Sequence, residues 1–113
     1  MTTSTSPTQR TLTRLRELGF TAAVVERWNP YARIRQDLFG FVDLVAVHPD
    51  LGYTLYIQTC AGGSHAAREA KIRESEHFPA VAACGIVEVW SWAKQGPRGK
   101  RKTWNLRTER VMP

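Results

Sequence analysis

Gly40-Phe41-Val42-Asp43-Leu44-Val45-Ala46-Val47 is the stretch on which the fold turns. Seven of its eight residues are glycine or apolar, which fits an interior strand. Asp43 is the exception. A carboxylate taken out of water costs several kcal/mol unless it is paired, hydrogen-bonded or metal-bound. After the turn His48-Pro49-Asp50-Leu51-Gly52 comes a second strand, Tyr53-Thr54-Leu55-Tyr56-Ile57-Gln58-Thr59-Cys60, which ends in polar residues. Two adjacent strands therefore carry polar groups, Asp43 on the first and Gln58 near the end of the second.

Beyond that pair, Ala61-Gly62-Gly63-Ser64 is a glycine-rich break. Ser64 is placed to cap a helix from His65 to about His77, ahead of Pro79, with Arg68 and Lys71 one turn apart on it. Ala80–Cys84 reads as one more helical turn. Ile86–Trp92 is a strand, Gln95–Gly99 a turn and Thr103–Val111 the returning strand of a hairpin. Upstream, Pro7–Leu18 has helical spacing of Leu12, Leu15 and Leu18, with Ser6 as cap and Gly19 as stop. Phe20–Trp28 reads as one strand, closed by Asn29-Pro30. Tyr31–Phe39 reads as a loop holding Arg33, Arg35 and Asp37. The order is helix, three strands, helix, two strands. This predicts a mixed α/β domain in which the crossover helix creates a parallel strand pair.

At 113 residues the chain has the size of one domain, spanning 1–113, with a polar tail at 1–6 expected to be disordered. Its longest apolar runs fall well short of the ~20 residues of a membrane span, and a cytoplasmic location is the default expectation. Cys60 and Cys84 are too few for a disulfide framework and are read as thiols. Lys and Arg number 16 against 10 Asp and Glu, and the excess is concentrated in the C-terminal hairpin. Its tip, 93–102, holds Lys94, Arg98, Lys100, Arg101 and Lys102, so a polyanionic partner is expected there through counterion release.

A strand carboxylate beside polar groups on the next strand suits a divalent-metal site. Mg²⁺ takes oxygen ligands, commonly one or two carboxylates plus substrate phosphate. The Gly-rich turn points helix N–H groups at the same end of the sheet, as a phosphate cradle does. The run Trp28 to Asp43, then Tyr56-Ile57-Gln58-Thr59-Cys60 and Arg68-x-x-Lys71-Ile72, resembles the PD-(D/E)XK nuclease superfamily. It is most similar to small phage-type proteins of the Holliday-junction-resolvase and VRR-NUC kind, over roughly residues 9 to 92.

That resemblance implies a restriction-endonuclease-like mixed sheet of about five strands flanked by helices, in αβββαβ order with a C-terminal hairpin strand. It implies a Mg²⁺- or Mn²⁺-dependent endonuclease that hydrolyses phosphodiesters in branched or structured DNA, in a bacterial or phage-infected cell. A homodimer is also implied. The family's first motif ends in a metal-binding Asp, which falls on Asp43. Its next motif, an acid, one residue, then Lys, falls on Gln58 and Cys60. Gln58 offers a carbonyl oxygen without charge, and Cys60 cannot do the work of Lys. Lys71 or Arg68 would then replace the lysine. Glu26, ahead of Glu17, or Asp37 would supply the missing carboxylate. The metal set is thus Asp43, Gln58 and Glu26, and the catalytic set Asp43, Gln58 and Lys71. Arg33, Arg35 and Arg68 join the basic tip as nucleic-acid contacts. The competing reading is a catalytically degraded nuclease fold that binds nucleic acid or protein.

Each of these residues also has a plainer role to be weighed. Asp43 could be neutralised by Arg33 or Arg35. Gln58 could be a hydrogen-bonded strand-end amide, and Arg68 and Lys71 a solvated helix face. Cys60 is expected as a small buried hydrophobe. His48, His65 and His77 form no ligand pair and receive no role. Trp28, Trp90, Trp92 and Trp104 are expected to pack rather than to stack on bases.

Overall fold

Ser6 and Gly19 bracket the first helix as their chemistry dictates. The Ser6 hydroxyl accepts from the Gln9 amide at 3.2 Å. Gly19 adopts φ +90°, a conformation that costs a side-chain-bearing residue strain, and so stops helix α1, Pro7–Glu17. The computed structural model describes residues 5–113. The first four residues of the expected disordered tail lie outside the described residues, and Ser6 is engaged in the cap.

The elements that follow are β1 (Thr21–Val24), β2 (Arg27–Asn29), β3 (Ile34–Gln36), β4 (Leu44–Val47) and β5 (Thr54–Ala61). A 3₁₀ turn, Gly62–Ser64, leads to α2 (His65–Glu74), α3 (Phe78–Cys84), β6 (Gly85–Gln95) and β7 (Thr103–Arg110). Five strands form one mixed sheet in the order β1-β4-β5-β6-β7. Only β5 and β6 are parallel, joined by the α2–α3 crossover. The other neighbours are antiparallel. The expected α/β architecture, a five-stranded mixed sheet with flanking helices, is thus observed.

Alternation along the strands divides the core in two. Leu55 and Ile57 of β5, Leu44 and Ala46 of β4 and Trp90 pack under Leu12 and Leu15 of α1. Cys60, Val87 and Val89 pack with Ile72 of α2 and with Phe78 and Val81 of α3. Among the described residues no helix is long and apolar enough to cross a membrane.

Several sequence expectations need correction. The strand expected over Phe20–Trp28 breaks at Val25-Glu26, and Arg27–Asn29 pairs instead with Ile34–Gln36, inside the expected loop. β4 starts at Leu44 rather than Gly40. Phe39 (φ +56°) and Gly40 (φ +83°) both adopt the left-handed conformation, which reverses the chain ahead of Asp43. α2 ends at Glu74, where Ser75 becomes extended, and α3 begins at Phe78 with Pro79 in its first turn. Ser64 occupies the cap position of α2, but its hydroxyl makes no capping bond. Ala93, Lys94 and Gln95 belong to β6 rather than to the hairpin tip, which narrows to 96–102.

Two hairpins leave the sheet at the same end. Val24 pairs with Leu44, so the chain exits β1 beside Asp43 and goes straight into the β2–β3 hairpin. β6 runs parallel to β5 but continues three residues past the Ala61–Trp92 pair, to Gln95, roughly 10 Å further at strand rise. The basic tip therefore projects beyond the end of β5 where Gln58 and Thr59 lie.

Candidate metal centre

Asp43 sits outside the formal limits of β4 but inside the hydrogen-bond ladder. Its amide donates to the Ile57 carbonyl at 2.8 Å, and its own carbonyl accepts from the Val25 amide at 2.8 Å. Strands on both sides therefore enclose it, and only 4% of its surface is exposed. Its Oδ2 accepts from Gln58 Nε2 at 2.7 Å, from the Thr59 amide at 2.8 Å and from Thr59 Oγ1 at 3.1 Å. Thr59 Oγ1 also lies 2.8 Å from Thr8 Oγ1. Since the Thr59 proton is committed to Asp43, Thr8 is the donor in that pair. The first turn of α1 is thereby tied to the Asp43 carboxylate.

The other two acids arrive through the short hairpin. Its closing pair is Arg27 with Gln36, so Glu26 and Asp37 are the residues just outside that pair, on opposite strands of its base. The left-handed Phe39-Gly40 turn then brings the chain back to Asp43, and the Gly40 amide closes on the Asp37 carbonyl at 3.1 Å. Carboxylate oxygens of Glu26, Asp37 and Asp43 lie within 4.8 Å of one another. Hard oxygen donors at this spacing could hold a divalent cation.

The charge on these acids is only partly balanced. Lys71 Nζ of α2 reaches Asp37 Oδ2 at 2.7 Å, and Arg35 approaches Glu26 at 3.7 Å. No described cation pairs with Asp43, so the plainer role in which Arg33 or Arg35 neutralises it does not hold. Burial pushes the Asp43 carboxyl from 3.8 up to about 7, and Asp37 and Glu26 add to the rise, while the Thr59 amide opposes it. A buried carboxyl with two acids beside it and no cation of its own is electrostatically incomplete. Gln58, 2% exposed, adds a second irregularity. Its nitrogen serves Asp43, but its Oε1 is buried without a partner among the described residues. Both features fit an oxygen-lined cation site.

The acids open into a concavity of about 450 Å³ that also takes in Arg35, Arg68, Lys71 and the first turn of α1 at Pro7 and Thr8. Ala61 and Ser64 border it, whereas Gly62 and Gly63 of the glycine-rich turn line a separate hollow against β6 and β7. Gly62 packs so closely on β6 that an added Cβ would come within 2.9 Å of Ala93 Cβ. Cys60 lies at the edge of the concavity but is buried, and desolvation pushes its thiol pKa up, as expected of a small hydrophobe.

Glu26, Asp43, Gln58, Lys71, Arg35 and Arg68 are thus brought together. Arg33 is not among the lining residues; it sits exposed in the turn of the β2–β3 hairpin with φ +55°. Glu17 faces elsewhere, paired with Arg14 at 3.4 Å. Lys94 belongs to β6, and Arg98, Lys100, Arg101 and Lys102 lie on the tip between β6 and β7, apart from the acids.

Sequence reasoning passed over Thr8, Thr59 and His65. His65 is buried, with Nδ1 2.7 Å from Ser91 Oγ and Nε2 3.1 Å from Glu109 Oε1. It fastens the start of α2, the helix that carries Arg68 and Lys71, to β6 and β7. Its partners are 26 and 44 residues away, so no local spacing could reveal it. Comparison of the chain with protein families, with curated proteins and with solved structures gave no match.

Proposed function

We propose that this protein is a metal-dependent endonuclease of the PD-(D/E)XK kind, acting on branched or structured DNA. The observation that carries the reading is the convergence of Glu26, Asp37 and Asp43 within 4.8 Å, beside Lys71 and Arg68, at the end of a five-stranded sheet. The sheet order, with one parallel pair made by the α2–α3 crossover, agrees with a restriction-endonuclease-like core. Asp37 takes the place of the acid that Gln58 does not provide. Lys71 takes the place of the lysine that Cys60 does not provide.

In this reading Asp43, Asp37 and Glu26 would hold Mg²⁺ or Mn²⁺, and Gln58, whose Oε1 is without a partner, would offer a neutral oxygen. Such a cation, when bound, polarises a phosphate and lowers the pKa of a water. Asp43 has to give up the proton it keeps to about pH 7 before it can ligate. Thr59 and Gln58 hold its carboxylate in place, and Thr8 fixes Thr59. Lys71 and Arg68 are the cations that offset charge developing on the phosphate. The basic hairpins on either side grip the backbone, in a homodimer that meets the two strands of a branch, inside a bacterial or phage-infected cell.

One observation favours a second reading, a nuclease fold that binds DNA without cutting it. Lys71 is already committed to Asp37 at 2.7 Å, and position 60 has no basic group. Cleavage of branched and linear DNA with Mg²⁺ or Mn²⁺, wild type against Asp43→Ala, separates the two. Metal-dependent nicking that disappears in the variant supports the enzyme. Salt-sensitive binding without nicking supports the second reading. No mobility shift even at low salt sinks both.

A further inference from the structure

Trp104 departs from the packing expected of it. It is 44% exposed on the edge strand β7, whereas Trp90 is buried and Trp92 gives its Nε1 proton to Thr11 Oγ1 at 2.9 Å. The indole is nevertheless held. The Arg10 guanidinium carbon sits 3.8 Å from its ring centroid, a stacked cation–π contact. Lys94, its cross-strand partner, has Nζ 6.0 Å from the ring. Trp104 borders two hollows, one of about 550 Å³ on the Arg10 side and one of about 660 Å³ shared with Lys94, Arg101, Lys102 and Thr103. The second contains three cations and no acid. In the first, the one acid, Glu17, is paired with Arg14.

We infer that Trp104 is a stacking platform for an unpaired base of a nucleic-acid strand, whose phosphates are held by Lys94, Arg101 and Lys102. The inference rests on the nucleic-acid reading above and adds to it which part of the substrate is recognised. An aromatic face ringed by cations suits single-stranded segments, because every base has a π-face and every nucleotide a phosphate. Duplex DNA offers the same charge but keeps its bases stacked on one another. Arg10 stacks on the ring and lines one hollow, so the base is assigned to the other, where the cations are Lys94, Arg101 and Lys102. Pro7 and Thr8 line the acidic concavity, while Thr5 and Arg10 line the Arg10-side hollow, so the N-terminal end of α1 lies between the acids and the far side of the Trp104 ring from the cationic hollow's lining. A strand with a single-stranded portion beside its cleavage point would span both.

The test is fluorescence anisotropy with three labelled probes: a single-stranded oligonucleotide, a duplex, and an abasic strand with the same number of phosphates. Binding is measured in EDTA, so it does not depend on cleavage or on a metal. Wild type, Trp104→Phe, Trp104→Leu and Trp104→Ala are compared over a range of salt. The expectation is about a tenfold loss of single-strand affinity in the Leu and Ala variants, from the usual worth of one base–aromatic stack. Trp104→Phe should stay within about threefold of wild type. The slope of log affinity against log salt should not change, because no phosphate contact is removed. Duplex and abasic strands should bind all four proteins alike. The Leu variant keeps apolar bulk at the position, so its loss cannot be put down to a collapsed hollow. Wild-type affinity in the Leu and Ala variants, or an equal loss on all three probes, overturns the platform and leaves the nuclease reading standing. A wild type that binds no probe overturns the nucleic-acid reading itself.

Discussion

The two hairpins at the open end of the sheet are built in opposite ways. The β6–β7 hairpin is a continuation of the main sheet. Its base is core, with Val89, Trp90, Ser91 and Val111 buried, and its cations lie far out, on the tip. The β2–β3 hairpin is a two-stranded sheet of its own, with Trp28, Tyr31 and Ile34 exposed, and its important residues, Glu26 and Asp37, lie at its base. One hairpin projects charge away from the body of the protein. The other draws two acids together against Asp43. A hairpin can thus serve chemistry by where it ends or by where it begins, and only the first kind needs a buried base.

The sharpest way to break this contrast is through stability. Trp90→Ala should cost about 3–5 kcal/mol in denaturant unfolding, as truncations of large buried aromatics do. Trp28→Ala, on the free-standing hairpin, should stay within about 0.5 kcal/mol of wild type. Similar losses at the two sites would show that the short hairpin also carries core. Next comes chemistry at the hairpin bases. Asp37→Asn and Asp43→Ala should each lower the single-turnover nicking rate by about 10²–10³-fold, a common cost of losing one charge-stabilising group, without lowering DNA affinity in EDTA. A drop in affinity alone would count against these acids as the proposed metal ligands.

The basic tip should behave in the reverse way. Lys100→Gln, Arg101→Gln and Lys102→Gln combined should reduce the log–log salt slope of DNA binding by up to about three. The nicking rate at saturating protein should be unaffected. The smallest effect is on pH. The folded protein holds the Asp43 proton to about pH 7, while the unfolded chain releases it near 3.8. That contribution to stability is complete below pH 3.8 and is lost as pH rises to about 7. In EDTA the Tm should therefore fall between pH 5 and pH 8 by more in wild type than in Asp43→Asn. Parallel curves would show that Asp43 titrates normally.

Sequence patterns reached the parts of the molecule where local chemistry and tertiary placement agree. Ser6 and Gly19 bound α1 because capping is a local interaction. Asp43 was conspicuous because a charge within an apolar run has to be compensated somewhere. Lys71 entered only through the family resemblance, and its Nζ does reach the acids, at 2.7 Å from Asp37 Oδ2. The short hairpin was not legible. Its strands are only three residues long and carry almost no buried face, so no alternation marks them. Asp37 depends on Phe39 adopting a left-handed conformation that a phenylalanine side chain gives no reason to expect. Trp104 was misjudged because a tryptophan usually packs, and only the edge position of β7, with Arg10 arriving from α1, leaves it in the open.

The register of β2 with β3 has one last consequence. Three residue pairs separate the acids at the hairpin's base from the turn around Tyr31, which is almost completely exposed. Extra residues inserted between Pro30 and Ala32 would lengthen the arm and leave the spacing of Glu26 and Asp37 as it is. In the proposed nuclease the reach of this arm over DNA would therefore be adjustable in length without disturbing the three oxygens beneath it, and a change of target would not require rebuilding the acidic centre.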